Sequence, residues 1–175
     1  MLRPRLLADR SNFAFVNQHS FHYVWAGLTK VGEWLVRERE RRRVRMPWQM
    51  QQEFVAQLRV AQGRHAEALE LFAPILQDQQ NPKLRMHELV AVARHGNGDP
   101  QGAIALLEQF DADPFIAMSR EWSAHVWLGC EVRLAEFYLE AGRTADAGRV
   151  AAKVRAHLVL ADDGHPFAAR LARLP

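Results

Sequence analysis

Cysteine and histidine have the greatest capacity in this chain for nucleophilic or metal chemistry, and neither stands in a pattern that supports it. Cys130 is the single cysteine, and its neighbours do not supply the electropositive, exposed setting that activates a thiol. His19 and His22 could share a helix face, but a zinc site needs three or four ligands. We therefore expect a buried structural thiol and no metal ion or cofactor.

Glycine and serine motifs give no enzyme assignment either. Gly27 and Gly32 have the spacing of a phosphate-binding loop, but Glu33 and Trp34 follow where that loop requires lysine and then serine or threonine. No Gly-x-Ser-x-Gly occurs. The sequence therefore contains no catalytic residue that we can name, and we expect the chain not to be an enzyme.

The most concentrated charge lies in residues 37–45, which read RERERRRVR. Arginine forks suit phosphate groups, so one interpretation is a nucleic-acid contact. The others are a solvated helix end, with Glu38 paired to Arg42, and a docking site for an acidic protein surface. Outside this segment the net charge is −1, so the basic character is local and nucleic acid is the less favoured partner. The basic patch consists of Arg37, Arg39, Arg41, Arg42, Arg43 and Arg45.

Composition places the chain among ordinary globular proteins. Its 175 residues are 49% hydrophobic and 25% charged, which excludes collagen-like and disordered classes. Residues 13–36 are interrupted by polar and charged side chains, whereas a membrane span needs about 20 mostly apolar residues. We therefore expect no membrane association, a reducing environment and a cytoplasmic location.

Helix-start signals divide the chain. Asn81, Asp99 and Asp113 each precede a proline, which is typical of a helix N-terminus, and Thr144 is a fourth candidate cap. No alternation typical of strands persists. The sequence predicts an all-α protein, with helices over residues 18–45, 48–62, 65–79, 82–95, 100–110, 114–141 and 145–160 and a short one from Pro166.

Three glycines mark an internal repeat. Gly63, Gly98 and Gly142 each follow a small residue by seven positions and precede an alanine by five. Small residues allow the two helices of a hairpin to approach closely, and glycine permits the tight turn between them. The residues at these positions are Ala56, Ala91 and Ala135 before the turn and Ala68, Ala103 and Ala147 after it.

These segments resemble the tetratricopeptide repeat (TPR) family. The matching stretches are VAQLRVAQGRHAEALELF, VAVARHGNGDPQGAIALL and LAEFYLEAGRTADAGRVA. The resemblance implies a TPR-like superhelix of antiparallel helical hairpins over residues 46–175, with a C-terminal capping helix. We expect residues 1–45 to form an N-terminal helical extension with a basic end.

Two features depart from the family pattern. Four residues before the turn glycine the family has a large aromatic side chain, but Arg59 and Arg94 stand there and only Tyr138 fits. An arginine at this position must snorkel or find a carboxylate. Pro74 should also kink the second helix of the first repeat.

The family lines a partner-binding groove with the first helix of each hairpin. Three of the groove residues are glutamates, so the basic carboxylate clamp that holds chaperone tails in this family is absent. By the family register the groove residues are Met50, Glu53, Gln57, Val60, Arg85, Glu88, Val92, His95, Val132, Glu136 and Leu139.

The resemblance implies a non-enzymatic interaction or scaffold module that binds a peptide or a partner protein. The alternative is a sensor or regulatory segment of a bacterial transcription or signalling protein. RVAQGRHAEALELFAPIL is similar to the helical repeats of maltose-regulator-type activators. No DNA-binding helix-turn-helix is visible within these residues.

The two ends of the array differ in apolar surface. Phe167, Leu171 and Leu174 form one helical stripe that can cover Val150, Val154 and Leu158. The N-terminal helix carries Trp25, Leu28, Trp34 and Leu35, more apolar surface than one hairpin would cover. We therefore expect a capped C-terminal end and a homodimer through the N-terminal helix.

Overall fold

A computed structural model of the chain describes residues 13, 16–77, 85–111, 124–159 and 165–175. These residues contain helices and no strand, which confirms the all-α class. The helices are α1 (Ser20–Trp25), α2 (Thr29–Arg41), α3 (Trp48–Ala61), α4 (His65–Gln77), α5 (Arg85–Gly96), α6 (Pro100–Asp111), α7 (Ala124–Glu140), α8 (Thr144–His157) and α9 (Pro166–Leu171). Within the described part of the chain, none of them combines the length and apolar character that a membrane span requires.

The chain forms two compact units, Met1–Gln77 and Asp78–Pro175. We call them unit 1, which holds α1 to α4, and unit 2, which holds α5 to α9. The sequence prediction divides the chain between residues 45 and 46, with an extension before this point and the repeats after it. The structure places the first predicted repeat, α3 and α4, in the same compact unit as α1 and α2.

The three predicted turns share one backbone geometry. Gly63, Gly98 and Gly142 have φ angles of +72°, +89° and +76°. In each turn the residue after the glycine donates its N–H to the carbonyl of the residue that lies four positions before the glycine, at 2.8 to 2.9 Å. The glycine N–H itself donates to the carbonyl three residues earlier. We call this arrangement the left-handed turn, and it confirms the role predicted for the three glycines.

The predicted small residues lie where the two helices of each hairpin meet. All six alanines of the repeat pattern have no exposed surface. Alanine allows paired helices to pack closely, and the burial of all six agrees with the contact between the helices of the α3–α4, α5–α6 and α7–α8 hairpins.

The prediction of one helix over residues 18–45 is wrong, because Gly27 divides this stretch into α1 and α2. Gly27 has φ +73°, and the N–H of Leu28 donates to the carbonyl of Tyr23 at 2.9 Å. Ser20, 2% exposed, and Gly32, buried, occupy the two small-residue positions of this turn. Residues 20–41 therefore form a fourth hairpin with the same register.

The two arginines at the family's aromatic position each find an oxygen partner. Arg59 Nη1 lies 2.7 Å from Glu33 Oε1 on α2, whereas Arg94 Nη1 donates to the Gly102 carbonyl at 3.2 Å. Tyr138, which has the family's residue type, donates its hydroxyl to Glu108 Oε1 at 2.7 Å. The expectation of a carboxylate is thus confirmed for the first arginine, and the second uses a carbonyl.

The C-terminal helix closes the core of unit 2, as the sequence predicts. Phe167, Leu171 and Leu174 are 3 to 8% exposed and belong to the same apolar cluster as Val150 and Val154. The C-terminal end of α9 is tied down in addition, because Arg155 Nη2 donates to the carbonyls of Leu171 and Leu174, each at 2.9 Å.

The predicted helix starts have mixed outcomes. Asp99 Oδ1 accepts from the Gly102 N–H at 2.8 Å, which confirms this cap. Thr144 is the first residue of α8 rather than its cap, and Arg143 precedes it without a side-chain cap. His165 caps α9 by accepting from the Phe167 N–H, which the sequence analysis missed. The other two caps, Asn81 and Asp113, lie outside the described residues. Helix α4 continues through Pro74.

Candidate partner-binding surfaces

Nine of the eleven predicted groove residues fall into three rows along the first helix of each hairpin, at ten, six and three positions before the turn glycine. Exposure increases towards the turn. Glu53 and Val132 of the first row are at most 3% exposed, and Gln57 of the second row is 7% exposed. These three side chains are therefore packing residues and cannot serve as open groove contacts.

The remaining carboxylates of these rows belong to an ionic network inside unit 2. Arg170 of α9 contacts Glu136 through two hydrogen bonds of 2.8 Å, from Nε and Nη2. Arg133 Nη1 lies 2.7 Å from Glu136, and both arginines lie within 4 Å of Glu88. Two arginines thus balance two glutamates, and this part of the predicted groove offers a partner no net charge.

The third row is the accessible part of the face. In unit 2 it consists of His95 and Leu139, which we call the turn-proximal row, and Val60 holds the corresponding position in unit 1. Leu139 is 38% exposed and the other two are half-buried. The His95 ring stacks on Phe137 at 4.2 Å between centroids, and His95 Nε2 lies 3.0 Å from Glu140. Unit 2 therefore presents one exposed apolar side chain, Leu139, and a separate stacked aromatic pair.

The rest of the predicted set is Val92 of the second row and two residues, Met50 and Arg85, that lie thirteen positions before the turn glycine. Met50, near the start of α3, is 40% exposed. Val92 of α5 is half-buried and packs against the core of unit 2. The side chain of Arg85 lies outside the described residues.

The basic patch divides into buried, paired and open arginines. Arg39 is only 3% exposed. Its Nε donates to Asn17 at 2.7 Å, its Nη2 to Ser20 at 2.8 Å and its Nη1 to Gln51 at 3.3 Å. The guanidinium carbon also lies 4.3 Å from the centre of the Phe54 ring. Burial lowers the pKa of Arg39 to about 10. This arginine is thus part of the core of unit 1.

Glu38 pairs with two further members of the basic patch. Arg41 Nη2 lies 2.6 Å and Arg42 Nε 2.8 Å from Glu38 Oε2. Hydrogen bonds from Arg41 first, and then from Arg42, lower the pKa of Glu38 to about 2. The predicted pairing of Glu38 with Arg42 is confirmed, and the same carboxylate reduces the net charge of the patch.

Arg37, Arg43 and Arg45 are the exposed remainder of the basic patch. Arg37 contributes to lowering the pKa of Glu33, after the hydrogen bond from Gln62 and the contact with Arg59. Arg43 has φ +50° and, within the described part of the chain, is the one residue other than glycine with a positive φ. Its N–H donates to the Glu40 carbonyl, and the Val44 N–H donates to the Arg39 carbonyl, so α2 ends in a left-handed turn of the same kind as the glycine turns.

Unit 2 contains a buried ionic cluster that the sequence pattern does not predict. Glu131 is 1% exposed, and its Oε2 lies 3.2 Å from Lys153 Nζ, which also contacts Asp111 at 2.7 Å. Burial raises the pKa of Glu131. Lys153 Nζ lies 5.0 Å from the Trp127 ring. The cluster joins α6, α7 and α8, and its one sequence signal is the scarcity of lysine, of which the chain has three.

The candidate nucleophile is Cys130, and the candidate metal ligands are His19 and His22. Cys130 is buried, as predicted, and burial raises the pKa of its thiol. The rings of His19 and His22 lie 6.0 Å apart, and no group of three metal-binding side chains occurs among the described residues. Neither feature adds a chemical site to the partner-binding surfaces.

The helix predicted to dimerise buries most of its apolar side chains within unit 1. Leu35 is fully buried, and Trp34 contacts Phe13 edge to face at 6.0 Å. Leu28 remains 47% exposed, while the side chain of Trp25 lies outside the described residues. The homodimer stays a prediction and now depends on Leu28.

A chain of helical hairpins with left-handed turns is the class that this geometry defines. No family model, no curated protein and no solved structure matches the sequence.

Proposed function

We propose that the chain is a non-enzymatic protein-interaction module built from degenerate TPR-like hairpins, and that unit 2 binds a partner through the turn-proximal row. The observation that supports this proposal most directly is the exposure of Leu139, in the same unit as the stacked His95 and Phe137 rings. The four hairpins with one register support the TPR-like assignment.

The chemistry of this surface favours an apolar side chain of the partner. Leu139 offers exposed aliphatic surface, and the His95 ring is held in place by Phe137 beneath it and by Glu140 at its edge. A ring that is already fixed loses little conformational entropy on binding. Arg133 Nη1 and Glu136 pair with each other in the same unit, so a charged partner residue gains little there.

Site-specific photocrosslinking tests this proposal. A photoreactive phenylalanine at position 139 should crosslink a protein partner in cells that express the full chain. Position 152 is the matched control, because Ala152 is exposed on α8 of the same unit but lies on the second helix of its hairpin. The proposal is supported if position 139 crosslinks a partner and the additional substitution His95→Glu abolishes this crosslink. Equal crosslinking at positions 139 and 152, or none at 139, would contradict it.

A further inference from the structure

Five turns of the described chain share the left-handed geometry, and four of them use glycine. The fifth is centred on Arg43, with φ +50° and the same two backbone hydrogen bonds as the others. A side chain with a Cβ resists this conformation, which glycine adopts without strain. The chain therefore keeps an arginine at a position where glycine would be more stable, which points to a role for the side chain.

Arg43 is followed within five residues of the chain by a second exposed arginine and an exposed tryptophan. Arg43 and Arg45 are exposed, and their guanidinium groups have no ion pair within the described part of the chain. Trp48, only three residues after Arg45, is 51% exposed although it is a large apolar side chain. We call these three residues the Arg43–Trp48 surface.

The charge of unit 1 selects an acidic partner. Residues 1–77 contain twelve lysines and arginines against seven aspartates and glutamates, a net charge of +5, whereas residues 78–175 have eleven against thirteen, a net charge of −2. The attraction that steers an acidic partner thus acts on unit 1 and not on unit 2.

We propose that the Arg43–Trp48 surface binds an acidic peptide segment of a partner protein, with carboxylates on Arg43 and Arg45 and an apolar side chain on Trp48. Arginine and tryptophan are the residues enriched at the energetic centres of protein interfaces. A nucleic acid fits less well, because Arg39 is buried and Glu38 neutralises part of Arg41 and Arg42. This surface is distinct from the turn-proximal row, so the inference goes beyond the proposed function.

Binding of defined peptides to the full chain tests the inference. The probes are fluorescent 12-residue peptides in which glutamate and aspartate surround one leucine, phenylalanine or tryptophan, measured by anisotropy at 150 mM salt. Their counterparts carry glutamine and asparagine instead. We expect the acidic peptides to bind and the neutral ones not to, and we expect Arg43→Gly and Trp48→Ala each to weaken binding by about tenfold.

Arg43→Gly is an informative variant because it removes the charge and leaves the turn more stable, so a loss of binding cannot come from unfolding. Lys30→Ala is the matched control: it removes one exposed positive charge from the same unit and should leave binding within about twofold. The inference is overturned if no acidic peptide binds better than its neutral counterpart, or if Arg43→Gly binds as the wild type does. Tighter binding of a 15-residue oligothymidine than of any peptide, with the same dependence on Arg43, would replace the peptide by a nucleic acid and so overturn it as well.

Discussion

Two turns of unit 1 share a hydrogen-bond pattern but differ in the residue that adopts the left-handed conformation. Gly63 joins the two helices of one hairpin, whereas Arg43 ends the helix that leads from one hairpin to the next. A Cβ built on Gly63 would meet no atom within 4 Å, so glycine is present there for its backbone freedom. At position 43 the same backbone conformation is retained at a conformational cost.

In each of these two turns, an arginine four positions before the left-handed residue supplies the carbonyl that accepts the turn's hydrogen bond. The carbonyl of Arg39 accepts from Val44, and that of Arg59 accepts from Arg64. The side chain of Arg39 is buried on neutral oxygens, while that of Arg59 is paired with the Glu33 carboxylate at 2.7 Å. The comparison shows that the same backbone turn is compatible with different side-chain environments, because its hydrogen bonds involve only main-chain atoms.

The largest effect should follow from Arg39→Ala. It leaves Asn17, Ser20 and Gln51 without their donor and opens a cavity over Phe54, so we expect the free energy of unfolding to fall by about 3 kcal/mol. Urea denaturation measures it. Arg45→Ala is the control, since this exposed side chain should change stability by less than about 0.5 kcal/mol. Similar small effects of both variants would show that Arg39 is not a core residue.

Gly63→Val should have the next largest effect, a loss of about 1.5 kcal/mol, because valine resists a positive φ. The open space around Gly63 means that this loss comes from the backbone and not from a clash. Gly148→Ala is the comparison, because Gly148 lies within α8 with its nearest outside atom at 3.9 Å, where alanine favours the helix. A melting temperature unchanged by Gly63→Val would count against the repeat register.

Arg59→Ala should cost about 1 kcal/mol at pH 7, since it removes a half-buried ion pair. The hydrogen bond from Gln62 and the contact with Arg59 lower the pKa of Glu33 below its ordinary 4.5. A carboxyl with a lowered pKa contributes stability above that ordinary value and loses the contribution as the pH falls below it. The difference between wild type and Arg59→Ala should therefore shrink in urea titrations below pH 4.5. A difference independent of pH would mean that the pair with Glu33 does not act in solution.

The smallest effect is expected from Arg43→Gly, and it has the opposite sign. Glycine removes the strain of the positive φ but raises the conformational entropy of the unfolded chain. The free energy of unfolding should therefore increase by only about 0.5 to 1 kcal/mol. The urea midpoint should rise. Arg45→Gly, two residues further along the same loop, should give no such gain.

The repeat signal predicts the hairpins because each position has one physical requirement. Gly63, Gly98 and Gly142 need positive φ, and the flanking alanines need close helix contact, so residue type alone identifies them. The repeat pattern does not reveal the α1–α2 hairpin, because serine and glycine stand where the other three hairpins have alanine. Without that signal, the helical spacing of apolar residues predicts one continuous helix through Gly27.

The side-chain environments could not be predicted in the same way. Six arginines within nine residues look alike in sequence, yet Arg39 is buried because Asn17 and Ser20 from one segment and Gln51 from another surround it. The exposure of Leu139 and the burial of Glu131 likewise depend on which face the neighbouring helices cover. Such long-range contacts leave no local pattern in the sequence.

The most direct test of the shared turn is the free energy of unfolding of Gly63→Arg, measured in urea beside that of Arg43→Gly. Each variant gives one turn the residue of the other. If the two turns are equivalent, Gly63→Arg should lower the free energy of unfolding by about 1 kcal/mol, and Arg43→Gly should raise it by a similar amount. Changes of the same sign, or no change for Gly63→Arg, would contradict the account.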